Sequence, residues 1–331
     1  MATRESFGKS GADLKGDHWA TMQAVRLHSF GGPEVLVLEE VPRPQIGAGE
    51  VLIRVHAAGV NPLDWKARAG HVKAWLPHKL PLIPGWDVSG VVEAVAPGVT
   101  AFKIGDAVYG MLDFMRDGAY AEYVAAQTLN LALKPTSIDY TQAAAVPLAA
   151  LTAWQALFEV AGLQSGQTVL IHGAAGGVGH FAVQFAKWKG ARVIVTASAG
   201  NENFLRELGA DEVIDYRNTK FEKAVQDVDV VLDTIGGDTQ QSSWQVLKKG
   251  GILVATLGIS SPEGARDHGV RGEGILVHPD AAQLTQIAAL IDDGKMKPAV
   301  ASILPLAEAA QAHELSQTGH VRGKIVLQVG G

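Results

Sequence analysis

The chain has 331 residues, of which 47% are hydrophobic, a formal net charge of −6 and no cysteine. This length allows two domains, and the missing cysteines exclude disulfides, thiolate catalysis and cysteine-ligated zinc, which fits a protein of the reducing cytoplasm. Basic residues are scattered, and the most apolar stretch, residues 143–158, is too short to span a bilayer, so we expect neither nucleic acid nor a membrane as a partner.

The first 21 residues have balanced charge and no apolar segment, and we expect a poorly ordered extension there, not a signal peptide. Met22 is predicted to begin the folded body. From residue 22 to residue 146, short alternating segments are separated by Gly and Pro, at 23–27, 50–57, 88–95 and 119–124. This pattern is typical of a β-rich, barrel-like domain.

The most informative motif follows. A short apolar run, 168–172, leads into a glycine cluster and then into an amphipathic segment, 181–189, which predicts a strand, a tight turn and a helix. Ala174-x-Gly176-x-x-Gly179 fills the dinucleotide fingerprint G-x-G-x-x-G, with alanine in its first position. We expect the backbone amides of Gly176, Gly177 and Val178 to hold a pyrophosphate; the alternative is an ordinary glycine-rich turn.

The loop after the second predicted strand indicates which dinucleotide is bound. An acidic residue there would bind the ribose hydroxyls of NAD and repel a 2′-phosphate, but this chain has no acid before Glu202. Ser198 and Asn201 supply hydrogen-bond donors instead, and Tyr216 and Arg217 follow the third strand. The loop therefore favours NADP(H) as cofactor.

Further strands are predicted at 191–196, 212–214, 228–232 and 251–256, with helices between them. Such alternation predicts an α/β fold with a doubly wound, Rossmann-type parallel sheet. Helices are predicted over 281–292 and around 306–316, and a last strand over 324–329 is expected to return to the first domain. We thus predict a dinucleotide-binding domain, 147–279, inserted in a substrate-binding and catalytic domain formed by 22–146 and 280–331.

Ordered motifs recur over some 300 residues: Ala58-Gly-Val-Asn-Pro-Leu-Asp64, Ile83-Pro-Gly-Trp-Asp-Val-Ser-Gly90, Gly105-Asp-Ala-Val-Tyr-Gly110, Gly118-Ala-Tyr-Ala-Glu-Tyr-Val124, Ala145-Val-Pro-Leu-Ala-Ala-Leu-Thr-Ala153, the glycine turn and Arg322-Gly-Lys324. In these motifs the chain resembles the medium-chain dehydrogenase/reductase superfamily, and within it the zinc-free quinone oxidoreductase-like branch. The resemblance implies a GroES-like, barrel-like substrate domain, a Rossmann domain and a cleft between them.

The resemblance also implies cofactor-binding residues. Asn61 corresponds to the family's asparagine near the nicotinamide ribose, and Thr152 would contact the nicotinamide end. Gly258 and Ile259 would lie along the cofactor, and two C-terminal residues, Arg322 and Lys324, would close over it. A turn-forming Asn before Pro62 and a plain surface hairpin at 319–324 are the structural alternatives.

Candidate catalytic and substrate residues lie close to Asn61. Asp64 is expected to orient neighbouring groups, and Lys66 to polarise the acceptor oxygen or donate a proton. The alternatives are a helix N-terminal carboxylate and a solvated lysine. Trp65 and Trp86 are predicted to line an apolar substrate pocket, or else to be core residues.

Zinc-dependent relatives have a Cys in the first motif and Gly-His-Glu in the second, where this chain has Asn61 and Gly85-Trp86-Asp87, so we expect no metal site. Reduction without a Lewis acid favours acceptors whose negative charge is delocalised. We expect an NADPH-dependent reductase of quinones or α,β-unsaturated carbonyls. The family resemblance also implies that the protein forms a homodimer. The alternatives are an enoyl-thioester reductase of the same superfamily and an NADPH-binding protein without substantial catalysis.

Overall fold

The structure is a computed structural model and describes residues 20–330, so the expectation about the N-terminal extension falls mostly outside the described residues. The first part of the chain is rich in strands: β1 (Thr21–Leu27), β2 (Leu36–Pro42), β3 (Glu50–Val60), β4 (Asp87–Val95), β5 (Ala107–Met111), β6 (Tyr123–Gln127) and β7 (Leu131–Leu133), with helix α1 (Pro62–Arg68) after β3. The prediction of a β-rich first lobe is confirmed.

Helix α1 begins where its sequence predicts a helix start. Asn61 is the N-cap, Pro62 occupies the first turn, and the side chain of Asp64 accepts from the backbone N–H of Asn61 in a capping box. A capping box satisfies N–H groups that have no partner within the helix. The arrangement turns Asp64 and Arg68, four residues apart, towards the interior, and both side chains are buried.

The second part of the chain alternates strands and helices. Helices α2 (Tyr140–Ala144) and α3 (Pro147–Trp154) lead from the first lobe, and a π-helical segment, Gln155–Val160, continues α3. The elements that follow are β8 (Thr168–His172), α4 (Gly179–Lys189), β9 (Arg192–Ala197), α5 (Glu202–Glu207), β10 (Glu212–Asp215), α6 (Phe221–Ala224), β11 (Val228–Asp233), α7 (Gly237–Ser243), β12 (Leu247–Ala255), α8 (Pro262–Asp267) and β13 (Arg271–Gly274).

These strands form a parallel sheet in the order β10-β9-β8-β11-β12-β13. The chain order reverses at β8, which lies between β9 and β11, and ligands of such sheets bind at the carboxyl ends of the strands beside this switch point. The doubly wound fold class is confirmed. Edge strand β13 was not predicted, because its sequence Arg-Gly-Glu-Gly has no apolar residue to mark it.

The last elements are α9 (Ala281–Asp292), β14 (Val300–Pro305), α10 (Ala309–Gln317) and β15 (Lys324–Gln328). Strand β15 pairs antiparallel with β3, with Ile325 opposite Val60, in a sheet of order β14-β15-β3-β4-β5-β7 with β6 also on β3. The predicted return of the last strand to the first lobe is therefore confirmed. Helix α9 buries Leu284 and Ile287 in the same apolar core as β8, and the boundary at residue 280 stays a prediction.

Candidate active site

The turn between β8 and α4 requires glycine at both of its ends, Gly173 and Gly179. Gly173 adopts φ +67°, and a Cβ on Gly179 would lie 2.4 Å from the Gly173 carbonyl oxygen and 2.6 Å from Ala174 Cα, so strand and helix approach closely. Within residues 20–330, the N–H groups of Gly177 and Val178 donate to no backbone oxygen, whereas the Gly176 N–H, which was also predicted to hold the pyrophosphate, is already engaged with the Gly173 carbonyl oxygen at 3.0 Å. Unpaired amides at a helix start provide the donors that a pyrophosphate needs, so the turn fits a dinucleotide.

Three polar side chains meet at the carboxyl end of β9. Asn201 Nδ2 donates to Ser198 Oγ at 3.1 Å, and Arg322 Nε donates to Asn201 Oδ1 at 2.8 Å. A second guanidinium nitrogen of Arg322 donates to the Gly200 carbonyl oxygen at 2.8 Å. The family resemblance predicted only that Arg322 closes over the cofactor. In the structure Arg322 lies beside the loop that is predicted to contact the adenosine ribose.

Tyr216 extends this polar cluster from the neighbouring strand. Its backbone N–H donates to the Ala197 carbonyl oxygen at 3.2 Å, and its side chain is 51% exposed. The guanidinium carbon of Arg217 lies 5.9 Å from the Tyr216 ring centroid. The end of β9 is thus bordered by two arginines and several neutral donors, a composition suited to a phosphate.

On the other side of the glycine turn lies a buried polar cluster around Lys324. Its Nζ donates to the Val60 carbonyl oxygen at 3.0 Å and to Asn61 Oδ1, and lies 3.4 Å from Asp87 Oδ2. Asn61 Nδ2 also donates to Asp87 Oδ2, at 2.8 Å. The β15–β3 register explains the cluster, because pairing Ile325 with Val60 brings the preceding lysine to Asn61.

Asp87 links this cluster to the crossover into the second lobe. Its Oδ1 accepts from the backbone N–H of Leu148 at 2.7 Å, near the start of α3. Burial raises the pKa of Asp87, and the Lys324 charge opposes that rise. Sequence reasoning treated Asp87 only as part of a family motif; an acid flanked by the apolar residues Trp86 and Val88 was the signal that could have found it.

Asp64 lies on the interior face of α1. Its Oδ2 accepts from the Asn61 N–H at 2.6 Å and from the Tyr120 hydroxyl at 3.2 Å. Burial raises the pKa of Asp64 to about 7, against the lowering effects of the Asn61 N–H and the Lys324 charge. The structure thus brings two predicted site residues, Asp64 and Asn61, together with Lys324.

Lys66 and Trp65 lie on a different part of α1. Lys66 is half-buried, its Nζ lies 5.6 Å from the Trp65 ring centroid, and burial lowers the pKa of its ammonium. Residues two positions apart on a helix do not share a face, so Lys66 is not beside Asp64. A catalytic role for Lys66 stays a prediction.

Trp86 is a core residue in this structure. It has no exposed surface, donates from Nε1 to the Arg116 carbonyl oxygen at 3.1 Å and stacks on His78 with ring centroids 5.3 Å apart. Its burial and contacts are those of a core residue, one of the two interpretations that the sequence allowed, and a role for Trp86 in lining an apolar substrate pocket stays a prediction.

The predicted cofactor residues of the second lobe lie near the switch point. Thr152 is buried on α3 and donates from Oγ1 to the Leu148 carbonyl oxygen at 2.7 Å. Gly258 adopts φ +80° just after β12, and its carbonyl oxygen accepts from Gln240 Nε2 at 2.9 Å. Ile259 is partly buried against the core beside β12. Gln240 was missed, since an isolated glutamine has no sequence signature.

The described part of the chain, residues 20–330, contains neither a cluster of metal ligands nor a membrane-spanning helix. No group of three or more His, Asp or Glu side chains there is arranged to hold a metal ion, and no helix in this range is long and apolar enough to cross a bilayer. The two positions where zinc-dependent relatives have ligands are engaged otherwise, Asn61 by Lys324 and Asp87, and Trp86 by the core.

Two family profiles match the chain. Residues 47–136 match the family described as the alcohol dehydrogenase GroES-like domain, and residues 208–327 match the one described as zinc-binding dehydrogenase. The two matches cover the barrel-like lobe and the later part of the chain, including strands of both sheets.

Individual proteins are similar over nearly the whole chain. The 2-methylene-furan-3-one reductase of Solanum lycopersicum and the chloroplastic NADPH-dependent alkenal/one oxidoreductase of Arabidopsis thaliana are each 37% identical over 317 residues, 92% of this chain and 79% of theirs. The solved quinone oxidoreductase of Coxiella burnetii is 39% identical, with a TM-score of 0.88 over 94% of this chain and 100% of that one. Because one relative is named chloroplastic, the cytoplasmic location stays a prediction.

Proposed function

The chain belongs to the medium-chain dehydrogenase/reductase superfamily, in its quinone oxidoreductase-like branch, and we propose that it is an NADPH-dependent reductase of quinones or α,β-unsaturated carbonyls that works without zinc. The observation that carries the cofactor preference is the meeting of Ser198, Asn201 and Arg322 at the end of β9. A homodimer remains the family-level expectation for the assembly.

The residues that would hold the cofactor divide into two groups. The free N–H groups of Gly177 and Val178 would bind the pyrophosphate, and the donors of Ser198, Asn201 and Arg322 would bind the 2′-phosphate. When bound, NADPH supplies a hydride to an electrophilic carbon of the acceptor. The protein contributes by holding the acceptor against the cofactor and excluding water.

The acceptor class follows from the groups that replace zinc. Asn61 is held by Lys324 and Asp87, and neither Asn61 nor Trp86 offers the thiolate or imidazole that would bind zinc. The proposed reaction therefore proceeds without a zinc ion to stabilise a developing alkoxide. Hydride delivered to the β-carbon of an enone leaves a delocalised enolate, and a quinone that accepts a hydride yields the aromatic hydroquinone monoanion. Both need less electrophilic assistance than a simple carbonyl does, and a proton from Lys66 or from water completes the enone reaction.

The test is to mix the purified protein with NADPH and a panel of acceptors while following the absorbance of the reduced nicotinamide. We expect oxidation with a benzoquinone and with an alkenal, but not with the alkanal of the same length, which is the matched control. NADPH that carries deuterium at the transferred position should label the β-carbon of the reduced alkenal. Reduction of the alkanal alone, or tight NADPH binding without oxidation by any acceptor, would overturn the proposal.

A further inference from the structure

Three ionisable side chains are enclosed together behind the glycine turn. Asp64 and Asp87 are 0% exposed and Lys324 is 3% exposed. Lys324 contacts Asp87, whereas Asp64 has no cation within ion-pair distance among the described residues. One ammonium cannot neutralise two buried carboxylates, and like charges enclosed together favour sharing a proton.

The other groups around Asp64 do not neutralise it. Tyr120 donates its hydroxyl proton to Asp64 Oδ2, and burial raises the pKa of that phenol well above its usual range. His313, on α10, lies 3.3 Å from the Tyr120 hydroxyl, and burial lowers its pKa to about 3, so its ring is neutral. Arg68 is buried one turn further along α1 and donates to Gln317, not to Asp64.

Asp64 also has an atom without a partner. Its Oδ1 is buried and makes no hydrogen bond with any described residue, although Oδ2 accepts two. An ionised carboxylate enclosed with one unsolvated oxygen costs far more free energy than the neutral acid does. This geometry fits a carboxyl group that binds a proton, and burial raises its pKa to about 7.

The cluster lies against the turn that would bind the pyrophosphate. The Gly323 N–H donates to the Ala175 carbonyl oxygen at 2.8 Å, and a Cβ on Gly177 would lie 3.1 Å from Lys324 Cδ. An anion at the turn would therefore interact with the charge of Lys324 and disfavour a further negative charge beside it.

We infer that Asp64 is an exchangeable-proton site linked to the cofactor, and that an anionic dinucleotide bound at the glycine turn drives transfer of a proton from solvent onto its carboxylate. The inference rests on the proposed function, because it requires that NADPH bind at this turn. The step is a simple protonation: the carboxylate becomes a neutral acid, solvent supplies the proton, and no electrons move.

The test is calorimetric titration with NADPH near neutral pH in phosphate and in Tris, whose ionisation enthalpies differ. The dependence of the binding heat on the buffer gives the number of protons taken up. We expect uptake by Asp64 of roughly half a proton per cofactor when the pH is close to its pKa. The Asp64→Asn variant keeps the capping geometry and should still bind NADPH. It should lose the part of the proton uptake that is due to Asp64. Subtracting its uptake from that of the wild type removes protons bound by the 2′-phosphate.

A matched control is Asp139→Asn. Asp139 caps α2 in the same kind of box but is exposed and lies 35 positions before Ala174 of the turn, so its replacement should leave proton uptake unchanged. If Asp64→Asn does not fold, Tyr120→Phe decides, because losing the hydroxyl donor should move the uptake maximum to higher pH. Equal uptake by wild type and Asp64→Asn, or an unshifted profile in Tyr120→Phe, would overturn the inference; absence of NADPH binding would instead overturn the proposed function.

Discussion

Replacing Arg322 by Gln should reduce the affinity for NADPH and leave that for NADH nearly unchanged. The guanidinium uses one N–H for Asn201 Oδ1 and another for the Gly200 carbonyl oxygen, which leaves three N–H groups for a phosphate. A hydrogen bond to a charged group contributes about 1.5–3 kcal/mol, and solvent screening of this exposed side chain reduces that to about 1–2 kcal/mol. NADPH should therefore bind about 5–30-fold more weakly.

The assay is titration of nicotinamide fluorescence with each cofactor at low and high salt, and the NADPH effect should shrink as salt increases. Arg192→Gln is the matched control. Arg192 is the first residue of β9, at the end of the strand opposite to Ser198 and Asn201, and it pairs with Glu212. That variant should bind both cofactors normally. An equal loss of NADPH and NADH affinity in Arg322→Gln would mean that Arg322 only supports the loop, and no loss would place the 2′-phosphate elsewhere.

Three further outcomes are expected. Because burial raises the pKa of Asp64 from 3.8 to about 7, its stabilising contribution is present below the lower value and is lost as pH rises through the upper. Urea unfolding of wild type relative to Asp64→Asn should show a loss of up to about 4 kcal/mol across that window, and a flat difference would contradict the burial argument. Lys66→Ala should lower turnover by roughly 10–100-fold with little change in NADPH affinity, and unchanged turnover would leave water as the proton source. Gly179→Ala should destabilise the protein by about 2 kcal/mol or more, since its Cβ would lie 2.4 Å from the Gly173 carbonyl oxygen. Gly200→Ala is the control and should be nearly neutral, because a Cβ at residue 200 meets open space. Equal urea midpoints for the two variants would refute this prediction.

Features that depend on residues close together in the sequence were predictable from the sequence. The predicted strand 228–232 is observed as Val228–Asp233, and the predicted helix 281–292 is observed as Ala281–Asp292. Strand β14 (Val300–Pro305) was not anticipated, since its exposed and half-buried residues alternate without a fully buried position. Its place is decided by pairing with β15.

The sequence by itself determined the glycine turn, the alternation of strands and helices and the family resemblance, because backbone sterics and hydrophobic periodicity act over a few residues. Only the tertiary structure decided which polar groups meet. Arg322 reaches Asn201 across 121 positions of the chain, and Lys324 reaches Asn61 across 263. Such partners are selected by strand register and lobe packing, and a buried charge acquires its pKa from groups that no local pattern identifies.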